Sequence, residues 1–166
     1  MKLFNFKKKK EKKEEEPKSQ IIIENGRVVD TATDLRNAPE YEGIYLLGQC
    51  NFNPYTNEQQ FWIKIGKSKN IQKRLKSYLT YCPCTVLLDT LRCDRFANII
   101  ESFSHRLMRE FSIGKCQHNS EWWLVSKETY MGFCEQKLLY LKNDKHFSNM
   151  YDMLMLQMQR LGDTNG

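Results

Sequence analysis

The chain contains no long apolar run. Its longest uninterrupted aliphatic stretch is Ile21-Ile22-Ile23, against the roughly 20 apolar residues that a membrane-spanning helix needs, so no membrane partner is expected. An apolar segment is also missing behind the basic N-terminus, where Met1–Phe6 leads into four lysines. That pattern excludes a secretory signal peptide and points to a cytoplasmic compartment. Without such a signal, the six cysteines read as reduced thiols, core residues or ligands and not as a disulfide framework. The spacing that marks zinc sites is missing too. Cys82-Pro-Cys84 is a CxC and no CxxC pair exists, so Cys82, Cys84, Cys93, Cys116 and His118 make a poor ligand set by spacing. Buried or unpaired thiols are the plainer reading, and a zinc-stabilised interaction protein is the alternative. No internal repeat is present.

A chain of 166 residues with 40% hydrophobic and 12% aromatic content can build one packed domain, with or without a tail. Its charge is unevenly spread. Residues 1–20 hold eight lysines and four glutamates, a net of +4 of the chain's +6. The remainder carries only +2, so global charge alone does not make the folded part a nucleic-acid binder. Residues 1–20 have almost no apolar residue after Phe6 and are expected to form a disordered basic tail.

Residues 21–40 read as a short hairpin and connector, with Asn25-Gly26 offering a type I′ turn. Gly43–Cys50 and Phe61–Gly66 read as two strands joined by the polar loop 51–60. Alternation puts Trp62 and Lys64 on one face and Phe61, Ile63 and Ile65 on the other. Ser68 or Asn70 caps a helix running to about Leu79, with Ile71, Leu75 and Tyr78 inward. Cys84–Cys93 reads as a third strand. A helix over about 94–111 follows, capped by Asp94, with Phe96, Ile99, Ile100, Phe103, Leu107 and Phe111 as its apolar stripe. Glu121–Val125 reads as a short aromatic strand or extended segment, and Ser126 caps a helix to about Lys142. A last amphipathic helix uses Phe147, Met150, Tyr151, Leu154, Met158 and Leu161.

Three constellations bear chemistry. Lys64, Lys67, Lys69, Lys73, Arg74 and Lys76 place six cations in thirteen positions with no acid between them. Lys69, Lys73 and Lys76 follow helical i, i+4, i+7 spacing. The cluster is either a phosphate-binding surface or a solvated helix face. Glu101 and His105, at i, i+4, are either a metal-holding carboxylate with its imidazole neighbour or a surface pair. Tyr45 is either a core tyrosine or a base, and a base needs nearby cations such as Lys64 or Lys67 to lower its pKa from about 10. Trp122 and Trp123 read as core and rim aromatics.

Taken in order, these residues resemble the GIY-YIG nuclease superfamily. Gly43-Ile44-Tyr45 matches the first half of its signature. Lys64-Ile65-Gly66 stands at the second half, Arg74 on the next helix and Glu101 on a later one. The wording KIGKSKN…RL, ESFSH and Glu121-Trp122-Trp123 looks most like a KIG-type branch found in phage and mobile-element reading frames. The resemblance covers about residues 41–126. It departs from the signature where Lys64 replaces a tyrosine, and it leaves Glu121 without an assigned role.

The resemblance implies a small α/β fold: a three-stranded, mainly antiparallel sheet flanked by helices over 41–126. Residues 127–166 would form helices packing on that domain or on a partner. It also implies a metal-dependent endonuclease acting on DNA. Tyr45, its pKa lowered by Lys64 or Lys67, would take a proton from water. Arg74 would stabilise phosphoryl charge, and Glu101 would hold Mg²⁺ or Mn²⁺. His105 would orient Glu101 or a metal-bound water, while Lys67, Lys69, Lys73 and Lys76 would contact the DNA backbone. A catalytically silent DNA- or RNA-binding module of the same fold is the alternative.

Overall fold

The computed structural model describes residues 21–24, 27–30, 35–78, 85–115 and 121–163. The expected tail 1–20 lies outside them, as do Leu79, Cys82, Cys84, Cys116 and His118.

Strands β1 (Ile21–Glu24) and β2 (Arg27–Asp30) form the expected hairpin, with Glu24 opposite Arg27. A short 3-10 helix, Leu35–Asn37, precedes the main sheet. The main strands are β3 (Gly43–Phe52), β4 (Gln59–Ser68), β5 (Thr85–Arg92), β6 (Ser112–Lys115) and β7 (Trp122–Val125). Their order is β5-β3-β4-β7-β6, with every neighbour antiparallel. The α/β class therefore holds, but the sheet has five strands and not three. Trp122–Val125 falls within the segment read as a short strand or extended stretch; Ser112–Lys115 was missed because it is only four residues long and carries no clear alternation.

The β3–β4 hairpin is longer than the sequence reading. Pairing continues to Phe52 opposite Gln59. The reversal is confined to a tight turn in which Asn53 Oδ1 accepts from the amides of Tyr55 (2.9 Å) and Thr56 (3.3 Å). Asn57 there adopts φ 57°, a left-handed conformation that asparagine tolerates.

Among the described residues there are four α-helices: α1 (Ile71–Lys76), α2 (Ala97–Phe111), α3 (Lys127–Gln136) and α4 (Lys145–Asp163). A 3-10 segment, Lys137–Asn143, links the last two. Its first residue, Lys137, has φ 59°, which ends α3 six residues before the expected Lys142. Helix α2 starts at Ala97 with Phe96 at its cap position and no side-chain cap bond, so Asp94 is not the cap. Ile99, expected in the stripe, is 42% exposed.

Strand alternation divides the core between the two faces of the sheet. Ile44, Leu46, Cys50, Phe61, Ile63, Ile65, Trp123 and Val125 pack with α2, α3 and α4 through Ile100, Leu107, Phe133, Phe147 and Leu154. The residues beyond 126 thus share this core. Tyr45, Leu47, Leu87 and Trp122 face the other way and pack against Ile71 and Leu75 of α1, with Leu35 and Ala38. Coverage on both faces explains why β3 reads as a nearly continuous apolar run. Among the described residues, no helix is long and apolar enough to cross a membrane.

Candidate functional site

The short β7 creates the site. It pairs with β4 only as far as Lys64, opposite Trp122, and among the described residues no strand pairs with Ile65–Ser68 on that side. Side chains from both faces of the sheet converge around this end of β4.

On one face, Tyr45 stands opposite Gly66 across the β3–β4 pair. A Cβ at Gly66 would lie 2.5 Å from the Tyr45 hydroxyl and from its ring, so the phenol lies directly over glycine backbone. Helix α1 brings Arg74 to the same place. Asn70 caps α1 by accepting from the Lys73 amide at 2.8 Å. The next amides, of Ile71 and Gln72, donate to the carbonyls of Tyr41 and Pro39. With Ile71 and Leu75 buried, Lys73, Arg74 and Lys76 point outward. Lys69 precedes the cap, so the expected three-lysine helical face holds only Lys73 and Lys76. The Arg74 guanidinium lies close enough to the Tyr45 hydroxyl to favour its ionised form, and 6.0 Å from the centre of the Tyr78 ring.

Burial dominates the chemistry of Tyr45. It pushes the phenol up to about 12, against smaller opposing pulls from Arg74 and Lys64. The expectation that Lys64 or Lys67 lowers this pKa is therefore corrected: Lys64 acts in the expected direction but desolvation outweighs it, and Lys67 is paired with Glu101 instead.

Lys64 is only 1% exposed. Its ammonium is paired with Glu121 and lies 5.4 Å from the Tyr78 ring centre and 5.9 Å from that of Trp122. The hydrogen bond from Lys64 is the main cause that holds the Glu121 carboxyl below the usual carboxylate range. Lys64 is thus enclosed by protein, and Glu121, left without a role by the sequence, is its counter-ion. The pairing joins residues 57 apart, beyond the reach of any local spacing argument.

The other face contributes α2. Glu101 accepts an ion pair from Lys67 at 2.9 Å, and Lys67 also donates to Asn98. His105 Nε2 bonds the Ile65 carbonyl at 2.7 Å. A carbonyl only accepts, so Nε2 carries the hydrogen and Nδ1 is the ring nitrogen that a second partner would meet. Glu101 and Tyr45 therefore approach from opposite faces, and β4 with its neighbours His105 and Glu121 is the link between them.

Two clefts adjoin this strand end. One, of about 330 Å³, is lined by Lys67, Lys69, Arg95 and Asn98 together with Glu42 and Asp94. The other, of about 490 Å³, is lined by Ser68, Lys69, Asn70, Lys73, Arg74 and Ser77. The second contains no acid and suits a phosphate backbone.

A family comparison can be set against this geometry. The family model of the T5orf172 domain matches residues 42–136, more than half of the chain. The chain belongs to the T5orf172 domain family. This finding overturns the assignment to the GIY-YIG nuclease superfamily and to its KIG-type branch: the match that spans Gly43-Ile44-Tyr45, Lys64-Ile65-Gly66, Arg74 and Glu101 is to a different family. No curated protein and no solved structure matches the chain. The T5orf172 match ends at the last residue of α3, although the core continues into α4.

Metal chemistry is constrained by the donor set. Among the described residues, no group of three His, Cys, Asp or Glu side chains is arranged to hold an ion. Cys93 is buried, and burial pushes its thiol up to about 11, the reverse of a zinc-bound thiolate. Glu101 offers a hard oxygen donor, 18% exposed. One carboxylate with substrate phosphate and water suits Mg²⁺ or Mn²⁺ and does not make an all-protein cage.

Proposed function

We propose that this T5orf172 domain is a DNA endonuclease that hydrolyses phosphodiester bonds with Mg²⁺ or Mn²⁺ held by Glu101. One observation carries the reading: Tyr45 with Arg74 and Lys64 with Glu121 on one face, and Lys67 with Glu101 and His105 on the other, flank the same end of β4 beside a cleft lined by Lys69, Lys73 and Arg74.

In this reading DNA lies along the cleft, where Lys69 and Lys73 engage backbone phosphates, with Lys76 exposed further along the same helix. Arg74 meets the phosphoryl oxygens and offsets the charge that grows as water attacks. Tyr45 positions Arg74 by standing beside its guanidinium. A phenol with its pKa near 12 is a poor base at neutral pH, so the water's proton passes instead to Nδ1 of His105. Lys64 and Glu121 act through position, fixing the wall against which Tyr45 and Arg74 rest. The ion, when bound, supplies Lewis-acid charge that supports the leaving 3′ oxygen. DNA and divalent ions meet in the cytoplasm, the compartment this reading assigns.

The test is cleavage of supercoiled plasmid in Mg²⁺ and in Mn²⁺, wild type against Glu101→Ala. Cleavage by the wild type alone is the expected result. Equal cleavage by both proteins removes Glu101 from the mechanism. A second reading, a catalytically silent DNA- or RNA-binding module, is favoured by the ion pair that occupies the Glu101 carboxylate. It predicts gel-shift binding with no nicking in either metal.

A further inference from the structure

We infer that the mixed-charge cleft beside this strand end is a seat for one unpaired base, guanine, whose phosphate lies in the neighbouring cleft of Lys73 and Arg74. The inference rests on the proposed DNA-binding role and adds what that role leaves open: the form of the strand and the base that it reads.

The two clefts are neighbours of different chemistry. Both are lined by Ser68 and Lys69, so the passage from β4 into α1 borders each of them. The 490 Å³ cleft presents Lys69, Lys73 and Arg74 and no carboxylate. The 330 Å³ cleft adds Glu42 and Asp94 to Lys69, Arg95 and Asn98. Strand pairing brings those two acids together, because the Cys93 amide donates to the Glu42 carbonyl at 3.3 Å and Asp94 follows directly. Asp94 is 59% exposed, and its ion pair with Arg92 is a long one at 3.9 Å. Two carboxylates repel a phosphate, so the second cleft is not a continuation of the first. Carboxylates are acceptors, and what they require is N–H groups. Asn98 Oδ1 already accepts from Lys67, which leaves the amide hydrogens of Asn98 for an incoming acceptor. The cleft thus sets two carboxylates against the donors Lys69, Arg95 and Asn98, with the buried Ala97 among its walls. Guanine answers both sets. Its N1–H and N2–H₂ give a carboxylate two adjacent donors, while its O6 and N7 accept from arginine or lysine. Thymine has no amino group to offer. Within a duplex, N1 and N2 of guanine are spent on cytosine, so the carboxylates meet them only in an unpaired base. The concave shape agrees, since a cleft admits a base that has left its stack.

The experiment is fluorescence anisotropy of labelled DNA with the full chain in EDTA, so that cleavage does not enter. The probes are an all-thymine strand, the same strand with one central guanine, the same with inosine in that place, and the thymine and guanine strands as duplexes. Wild type should bind the guanine strand about five- to fifty-fold more tightly than the thymine strand, the scale of one bidentate base contact. Inosine lacks the N2 amino group and should lose most of that gain. The two duplexes should bind alike. Glu42→Ala and Asp94→Ala should bring the guanine-to-thymine ratio toward one. The ratio is the readout, because removing an acid also eases phosphate binding to every strand. Lys73→Met should weaken all probes and keep the wild-type ratio. Equal wild-type affinity for the guanine and thymine strands, the same preference in duplexes, or a ratio unchanged in both Glu42→Ala and Asp94→Ala overturns the inference; weakened binding by Lys73→Met then leaves the phosphate cleft standing. No binding of any probe at low salt overturns the DNA-binding reading, and the inference with it.

Discussion

Tyr45 and Arg74 touch each other, yet their removal should have different signatures. Arg74→Ala should lower the cleavage rate by about 10²- to 10³-fold, the usual loss for a donor aimed at developing charge, and should weaken DNA binding several-fold. Single-turnover cleavage and fluorescence anisotropy separate the two effects. Tyr45→Phe keeps the ring over Gly66 and should bind DNA as wild type does while cutting more slowly. The hydroxyl also makes an alkaline prediction. Its pKa is about 12 in the fold and about 10 when unfolded. Below pH 10 both states hold the proton and the group has no pH effect on stability. Between pH 10 and 12 only the unfolded state releases it, so stability falls across that window, by roughly 2–3 kcal/mol when complete. Urea midpoints measured from pH 9 to 12 should fall more steeply for wild type than for Tyr45→Phe. Equal slopes would mean that the phenol is not desolvated. At this scale the sequence disclosed which residue types meet, because Tyr45, Lys64, Arg74, Glu101 and His105 stood out by chemistry and spacing. It hid the partners Lys64–Glu121 and Lys67–Glu101, since those contacts depend on how strands and helices stack. It also hid the direction of the Tyr45 shift, which depends on burial.

Strand β4 and helix α1 are the elements that position these groups, and glycine marks where they tolerate nothing larger. Gly66→Ala would drive a methyl group into the Tyr45 ring. It should cost about 1–3 kcal/mol, the usual range for overpacking a filled site, and should displace the hydroxyl from Arg74. Gly43→Ala is the harsher change, because its Cβ would meet the Leu91 carbonyl of the paired strand, and main chain cannot rotate away. Thermal unfolding of the two variants should rank Gly43→Ala below Gly66→Ala. Strands β3 and β4 and the start of α1 were legible beforehand for definite reasons. Apolar residues alternate across Phe61–Ile65, and Asn70 stands one residue ahead of Ile71 as a cap. The end of α1 was not, since Lys76 is followed by no glycine or proline. Helix α3 likewise stops at Lys137 in a left-handed conformation that a lysine does not advertise.

Across the whole molecule, charge and core are distributed differently. Of the net +6, residues 1–20 hold +4. Removing them should therefore flatten the dependence of DNA affinity on salt, read as the slope of log Kd against log salt concentration, while plasmid cleavage at low salt persists. The core runs the other way. The region matched by the family ends at Gln136, but Leu138, Leu141, Phe147, Met150 and Leu154 seal one face of the sheet. A chain cut after residue 136 leaves Ile44, Leu46, Ile63 and Ile65 without that cover and should aggregate on expression, whereas the full chain stays dispersed in size-exclusion chromatography. The same late closure has a meaning in time. A ribosome adding about 5–20 residues per second completes both rims of the proposed site before it has made α4. For the seconds in between, the nascent chain presents a nearly finished sheet with a bare greasy face, and this is the interval in which a chaperone would find most to hold.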